Sequence, residues 1–117
     1  LQDNKVNYSS DTKASGFIEY EHARVRWFLS IDIDDLPAES RNRGQRTFRS
    51  ITCDREEIEF SGGFTDLHTR SYEEILAGNG FGLEENRAAI ETVARIREAT
   101  PLGLTSDYHP FLKAAIV

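Results

Sequence analysis

His68 and Tyr72 stand four residues apart, with Arg70 between them. Apolar residues around them recur with a period near 3.6, which places His68 and Tyr72 on one face of a helix and Arg70 on another side. An imidazole, a phenol and a nearby helix N-terminus can bind a polar or anionic ligand. From the residues alone, the preferred reading of His68 and Tyr72 is nevertheless as boundary residues whose polar ends are satisfied.

The other candidates are weaker. Asp32, Asp34 and Asp35 offer clustered carboxylates, but an EF-hand loop would need Gly and Glu where Pro37 and Arg43 stand. A solvated strand end is expected there, not a metal site. Gly78, Gly80 and Gly82 imitate a dinucleotide fingerprint, yet they follow a helical pattern and lack the third glycine at the required spacing. They read as a helix–helix linker. Cys53 is the single cysteine; it has no histidine near it and is expected to be a small buried hydrophobe. His22 sits in a turn and His109 before a proline, neither with a nameable partner. No Ser-His-Asp order, HExxH or P-loop is present.

The elements that must position these groups are those of one domain. The chain has 117 residues, 38% hydrophobic and 29% charged, with a mean hydropathy of -0.52. No apolar run is long enough to span a membrane. A net charge of -6 argues against nucleic-acid binding, which needs a basic face. A single cysteine excludes an intrachain disulfide framework and fits a reducing compartment. The chain opens at Leu1 and holds no Met, so an internal or processed start is expected.

Residues 5–9 suit a short strand. A β-prone run follows around Phe17, Ile18 and Tyr20, then the clearest strand, Ala23 to Ile33. Val25, Trp27, Leu29 and Ile31 share one face, expected to be well buried. Tyr20 and Ala23 flank a hairpin connection. Asp34 to Gly44 is a loop by composition. Thr47 to Cys53 and Glu57 to Phe60 form a second hairpin turning at Asp54-Arg55, where Arg is an uncomfortable second turn residue because positive φ is needed. Thr65 is the expected N-cap of a helix running to Ala77 and stopped by Gly78, with Phe64, Leu67, Ser71 and Ile75 as one stripe. A second helix spans Leu83 to Ala99 and buries Ala89, Ile90, Val93 and Ile96. Pro101 lies beyond its end. The tail carries Tyr108, His109, Pro110 and Phe111, expected to pack back on the body.

Strands followed by helices predict a single α+β domain over residues 1–117: an open, mainly antiparallel sheet with two helices on one face. The other face is then an association surface.

The runs at 23–32, 47–52 and 56–61, then Gly63 to Leu76 and Asp107 to Leu112, resemble the C-terminal part of Gfo/Idh/MocA-type oxidoreductases. Within that family they are most similar to the UDP-N-acetylglucosaminuronate (UDP-2-acetamido-2-deoxyglucuronate) 3-dehydrogenases of lipopolysaccharide O-antigen synthesis. The resemblance covers about Ser15 to Leu112. One departure is Asp54-Arg55, where the family tends to Asp-Gly.

The resemblance implies a two-domain, NAD-dependent enzyme of the bacterial cytoplasm that oxidises the 3-hydroxyl of a UDP-sugar. Its Rossmann domain, catalytic lysine and active-site histidine would lie upstream, so no catalytic, cofactor or metal residue is expected in this chain. The chain would shape the substrate pocket and hold a homo-oligomer through the open sheet face. His68, Arg70 and Tyr72 are the implied substrate-proximal residues. Arg26 or Arg49 would meet the diphosphate or a partner chain. The alternatives are a freestanding dimerisation module and a family member acting on a free sugar or inositol.

Overall fold

The computed structural model describes residues 1–63, 65–105 and 107–116. Phe64, part of the expected helical stripe, lies outside them. The chain forms two compact units, Leu1–Asp35 with Leu83 onward, and Leu36–Gly82.

The first unit is built on an antiparallel meander of β1 (Asp3–Ser9), β2 (Lys13–Glu19) and β3 (Arg24–Ser30). Tyr20 N–H donates to Ala23 O at 2.8 Å and closes the β2–β3 hairpin. The register aligns Lys5, Phe17 and Arg26 across the three strands, with Ser15 opposite Phe28. Phe17 and Ser15 are buried, and the Ser15 hydroxyl donates to Trp27 O at 2.7 Å. On the reverse face the Trp27 indole lies across β2 at Gly16. A Cβ there would meet Lys5 O at 2.5 Å and the indole ring at 2.6 Å, so only glycine lets the ring lie flat on the sheet.

Val6 pairs with Gly16 and Tyr8 with Ser15, which leaves Asn7 as the extra residue of a β-bulge. The bulged strand takes a fourth chain segment along its edge: Leu102 N–H donates to Val6 O and Gly103 N–H to Asn7 O.

Helix α3 (Leu83–Glu98) lies against β1, and the short α4 (Pro110–Ile116) closes the unit. Pro110 stands at the first helical position, where its missing N–H is not needed. His109 caps α4 with its side chain: Nδ1 accepts the Phe111 N–H at 3.1 Å. The ring stacks on Phe28 at 6.0 Å and meets Phe111 edge-on at 5.1 Å. The expected docking of the aromatic tail is thus found, in helical form, with Leu112 completely buried.

The far end of α4 is held by a nearly buried cation. Lys13 Nζ lies 2.8 Å from Asp35 and 3.5 Å from Asp32, and donates to Ala115 O at 3.2 Å. Ser30 donates a second bond to Asp35 at 2.6 Å. The bond to Asp35 raises the Lys13 pKa despite burial. Burial would raise Asp35, but the bonds from Lys13 and Ser30 and the Lys13 charge outweigh it and hold the carboxyl below its usual range. The acidic cluster after β3 is therefore a strut. A 3₁₀ turn, Ile33–Asp35, completes it.

The second unit contains α1 (Ala38–Asn42), the hairpin of β4 (Ser50–Cys53) and β5 (Glu56–Glu59), and α2 (Leu67–Leu76). Residues 34–44, read as loop, include the 3₁₀ turn and α1. The hairpin turns at Asp54 and Arg55 with φ of 48° and 78°, so the arginine does occupy the left-handed conformation that favours glycine. Phe60 N–H to Arg49 O at 2.9 Å extends the pairing by one rung.

An α+β fold of antiparallel sheets and helices is therefore present, but burial differs from the expectation. On β3 the covered face is that of Phe28. Val25 and Leu29 are 40% and 67% exposed, because α4 packs on the opposite side. On α3, Ile90 and Val93 are exposed, whereas Thr92 and Ile96 are half-buried, as is Ala99 just beyond its end. Cys53 is exposed rather than buried.

Candidate functional site

The residues implied as substrate contacts all lie on α2. Its N-cap is Asp66 rather than Thr65; Asp66 has φ 60° and makes no side-chain cap bond. Asp66 therefore does not cap the helix through its side chain, and the positive end of the helix lies toward His68. His68 and Tyr72, one turn apart, share a face with Ile75. Arg70 projects from the other side and pairs with Glu73 at 3.9 Å. The structure thus brings His68 and Tyr72 together and sets Arg70 apart. No residue of α2 is buried. Its polar side chains are available to a ligand, and Leu67, Ile75 and Leu76 are open to a covering surface.

The two alternative arginines are engaged within the chain. Arg49 donates its backbone N–H to the Ser61 hydroxyl at 2.9 Å and its guanidinium to Ser61 O at 3.0 Å. This ties the end of the β4–β5 hairpin. Arg26 lies 4.0 Å from Asp107, both side chains half exposed, and its charge adds to burial in lowering the His109 pKa.

Gly78, Gly80 and Gly82 join α2 to α3, as the linker reading expects. Gly78 takes φ 81° as the helix-terminating glycine. A dinucleotide cradle needs a strand before the turn, so this run does not fit NAD. Among the described residues, no His, Cys, Asp and Glu side chains converge as metal ligands would, and no helix is long and apolar enough to cross a membrane.

A concave surface in the first unit escaped the sequence reading. It lies over Phe17, beside the Asn7 bulge. A bulge depends on pairing register, and nothing in the local alternation of β1 announces it.

The chain has an α+β fold in which Val25 and Leu29 of β3 are exposed and no residue of α2 is buried. No protein-family model matches the chain. Six chains of solved structures do, two of them forms of one protein. One is the WlbA (WbpB) dehydrogenase from Thermus thermophilus in complex with NAD and alpha-ketoglutarate, 47% identical over 94% of this chain with a TM-score of 0.87. The other is the WlbA (WbpB) dehydrogenase from Thermus thermophilus in complex with NAD and UDP-GlcNAcA, 45% identical over 94% of this chain with a TM-score of 0.86. The chain spans 36% of the length of each. The resemblance to nucleotide-sugar dehydrogenases holds over nearly the whole chain, in fold and in sequence.

Proposed function

We propose that this chain is the C-terminal substrate-binding and oligomerisation part of an NAD-dependent dehydrogenase. Its substrate would be a UDP-N-acetylglucosaminuronate-like sugar, oxidised at the 3-hydroxyl in bacterial O-antigen synthesis in the cytoplasm. The observation that carries this reading is the 45% identity with a dehydrogenase whose structure holds NAD and UDP-GlcNAcA. At that identity, with TM-scores of 0.86–0.87, the fold is shared. By itself the chain is inactive in this reading. The Rossmann domain, catalytic lysine and histidine are contributed by sequence upstream of the matched region.

NAD, when bound by that other domain, supplies the hydride acceptor. The present residues bind and orient. His68 and Tyr72 hydrogen-bond sugar or phosphate oxygens from one face of α2, and Arg70 meets the carboxylate or diphosphate if it exchanges Glu73 for substrate. The uncovered apolar surface has two partners. The Val25–Leu29 face of β3 receives a second copy of the chain. The open stripes of α2 and α3, Leu67 with Ile75 and Leu83 with Ile90, rest on the Rossmann domain of the same polypeptide. Apolar stripes of this length left in water would not hold such helices.

The test is turnover. The polypeptide containing this chain together with its NAD-binding domain should form NADH from NAD and UDP-N-acetylglucosaminuronate, and the isolated chain should not. Replacing Tyr72 by Phe and Arg70 by Gln should each raise KM more than they lower kcat, because they act on binding. Absence of NADH formation with the UDP-sugar, but turnover of a free sugar or inositol, would move the assignment to another substrate class.

A further inference from the structure

We infer that Asn79 is a site of spontaneous covalent modification, where the side-chain amide cyclises onto the backbone of Gly80 and opens to aspartate and isoaspartate. The inference is independent of the dehydrogenase reading.

The asparagines of the chain are Asn4, Asn7, Asn42, Asn79 and Asn86, and Asn79 alone is followed by glycine. The reaction is an attack by the next residue's backbone nitrogen on the asparagine Cγ. A side chain on that residue crowds the approach, and glycine has none. The nitrogen must also be free of a hydrogen bond, which regular structure forbids.

The fold meets both demands at Asn79. Helix α2 ends in a Schellman motif: Gly78 N–H donates to Ile75 O at 3.1 Å and Asn79 N–H to Glu74 O at 2.8 Å. The motif stops there. The Gly80 N–H makes no hydrogen bond among the described residues, and neither does the Asn79 side chain. Asn79 is exposed. Both flanking glycines are dictated by the structure. Gly78 has φ 81°, and a Cβ on Gly80 would lie 3.1 Å from Ile75 Cγ1. The helix stop thus keeps Asn79 in the labile pair.

The other asparagines are held. Asn7 is 2% exposed, and its Nδ2 donates to Gly103 O at 3.1 Å. Lys5, after Asn4, is paired within β1. Arg43, after Asn42, donates its N–H to Glu39 O at 3.1 Å. Arg87, after Asn86, lies inside α3.

The step consumes only water. Gly80 N bonds to Asn79 Cγ, the Cγ–Nδ2 bond breaks, and ammonia leaves with the Gly80 proton. Water then opens the five-membered imide at either carbonyl. One product is aspartate. The other carries the main chain through Cβ and Cγ and leaves the α-carboxylate as the side group. Each adds negative charge at the negative end of α2. The second also lengthens the link to Gly80, which displaces that residue from Ile75.

The experiment is peptide mass spectrometry on the folded full chain aged in mildly alkaline buffer, with isoaspartate scored by enzymatic methylation. The result expected is conversion at Asn79 faster than at any other asparagine by about tenfold or more, a ratio that a small difference in barrier supplies. Conversion in the folded chain should stay within about threefold of that in urea, since an exposed segment without hydrogen bonds opens at almost no cost. Asn79→Gln should remove the isoaspartate. Equal rates at all the asparagines, a rate at Asn79 more than about tenfold below that in urea, or isoaspartate persisting in Asn79→Gln would overturn the assignment. None of these outcomes bears on turnover of a UDP-sugar by the longer polypeptide, so the two readings fail separately.

Discussion

The two units use similar elements and reach opposite states of burial. In the first, α4 presses Phe111 and His109 onto Phe28, and Leu112 is wholly buried. In the second, α2 has no buried residue, and Ile51, Ile58, Leu67, Ile75 and Leu76 are all exposed. The first unit owns a small core. The second leaves its apolar side chains exposed, as the proposed partner domain would require. Amphipathic pattern therefore does not by itself report that this chain covers a face.

The sharpest way to break the comparison is truncation of one leucine in each unit. Leu112→Ala should destabilise by about 2–5 kcal/mol, the range for a fully buried leucine. Leu76→Ala, at 88% exposure, should stay within about 0.5 kcal/mol. Urea unfolding followed by circular dichroism measures both, and equal losses would erase the distinction.

Hydrogen exchange sharpens it next. The α2 amides should exchange much faster than those of β2 in the isolated chain. In the longer polypeptide the α2 amides should slow, since the proposed partner domain then covers them. Equal α2 protection in both would remove the argument for a covering surface.

A smaller effect sits at the β4–β5 turn. Arg55 at φ 78° bears left-handed strain of about 1–2 kcal/mol, against which the greater chain freedom of glycine must be set. Arg55→Gly should thus stabilise the second unit by about 0.5–1 kcal/mol, read as a rise in the urea midpoint. No change would mean that the turn is not limiting.

The smallest expected effect is on the first unit's His109. Burial first, and the Arg26 charge second, lower its pKa. The neutral ring is also the one that caps α4 through Nδ1. Its contribution is complete above the ordinary histidine value of about 6.5 and is lost as pH falls through the lower folded value. The Tm should decline modestly across that acid window, and His109→Asn, a cap without titration, should flatten the decline. An unchanged slope in that variant would assign the pH effect to other groups.

Much of the chain was legible because local rules are strong where one period repeats. The second long helix was expected from Leu83 to Ala99 and runs Leu83–Glu98, since Gly82 and Pro101 bracket an unbroken 3.6-residue pattern. The turn at Asp54-Arg55 and its strain followed from turn chemistry. Which face of β3 is covered did not, because Val25, Trp27 and Leu29 alternate with Phe28 and both faces carry apolar groups. Cys53 was misplaced for the same reason: a β-prone neighbourhood says nothing about whether a second layer exists. Of the implied site, the common face of His68 and Tyr72 was readable from spacing alone. The cleft over Phe17 was not, since Asn7 enters it only through a slip in pairing register and a contact with Gly103 far along the chain.

By itself the amino-acid sequence determined the strands and the two longer helices, the glycine breaks, the strained turn and the kinship with nucleotide-sugar dehydrogenases. These rest on neighbours within a few residues, or on a string that can be matched directly. Tertiary structure alone decided which apolar face is buried, which carboxylate holds Lys13, and which backbone oxygen meets Asn7. Those choices depend on groups up to 102 residues apart, as between Lys13 and Ala115, and no local period carries such information.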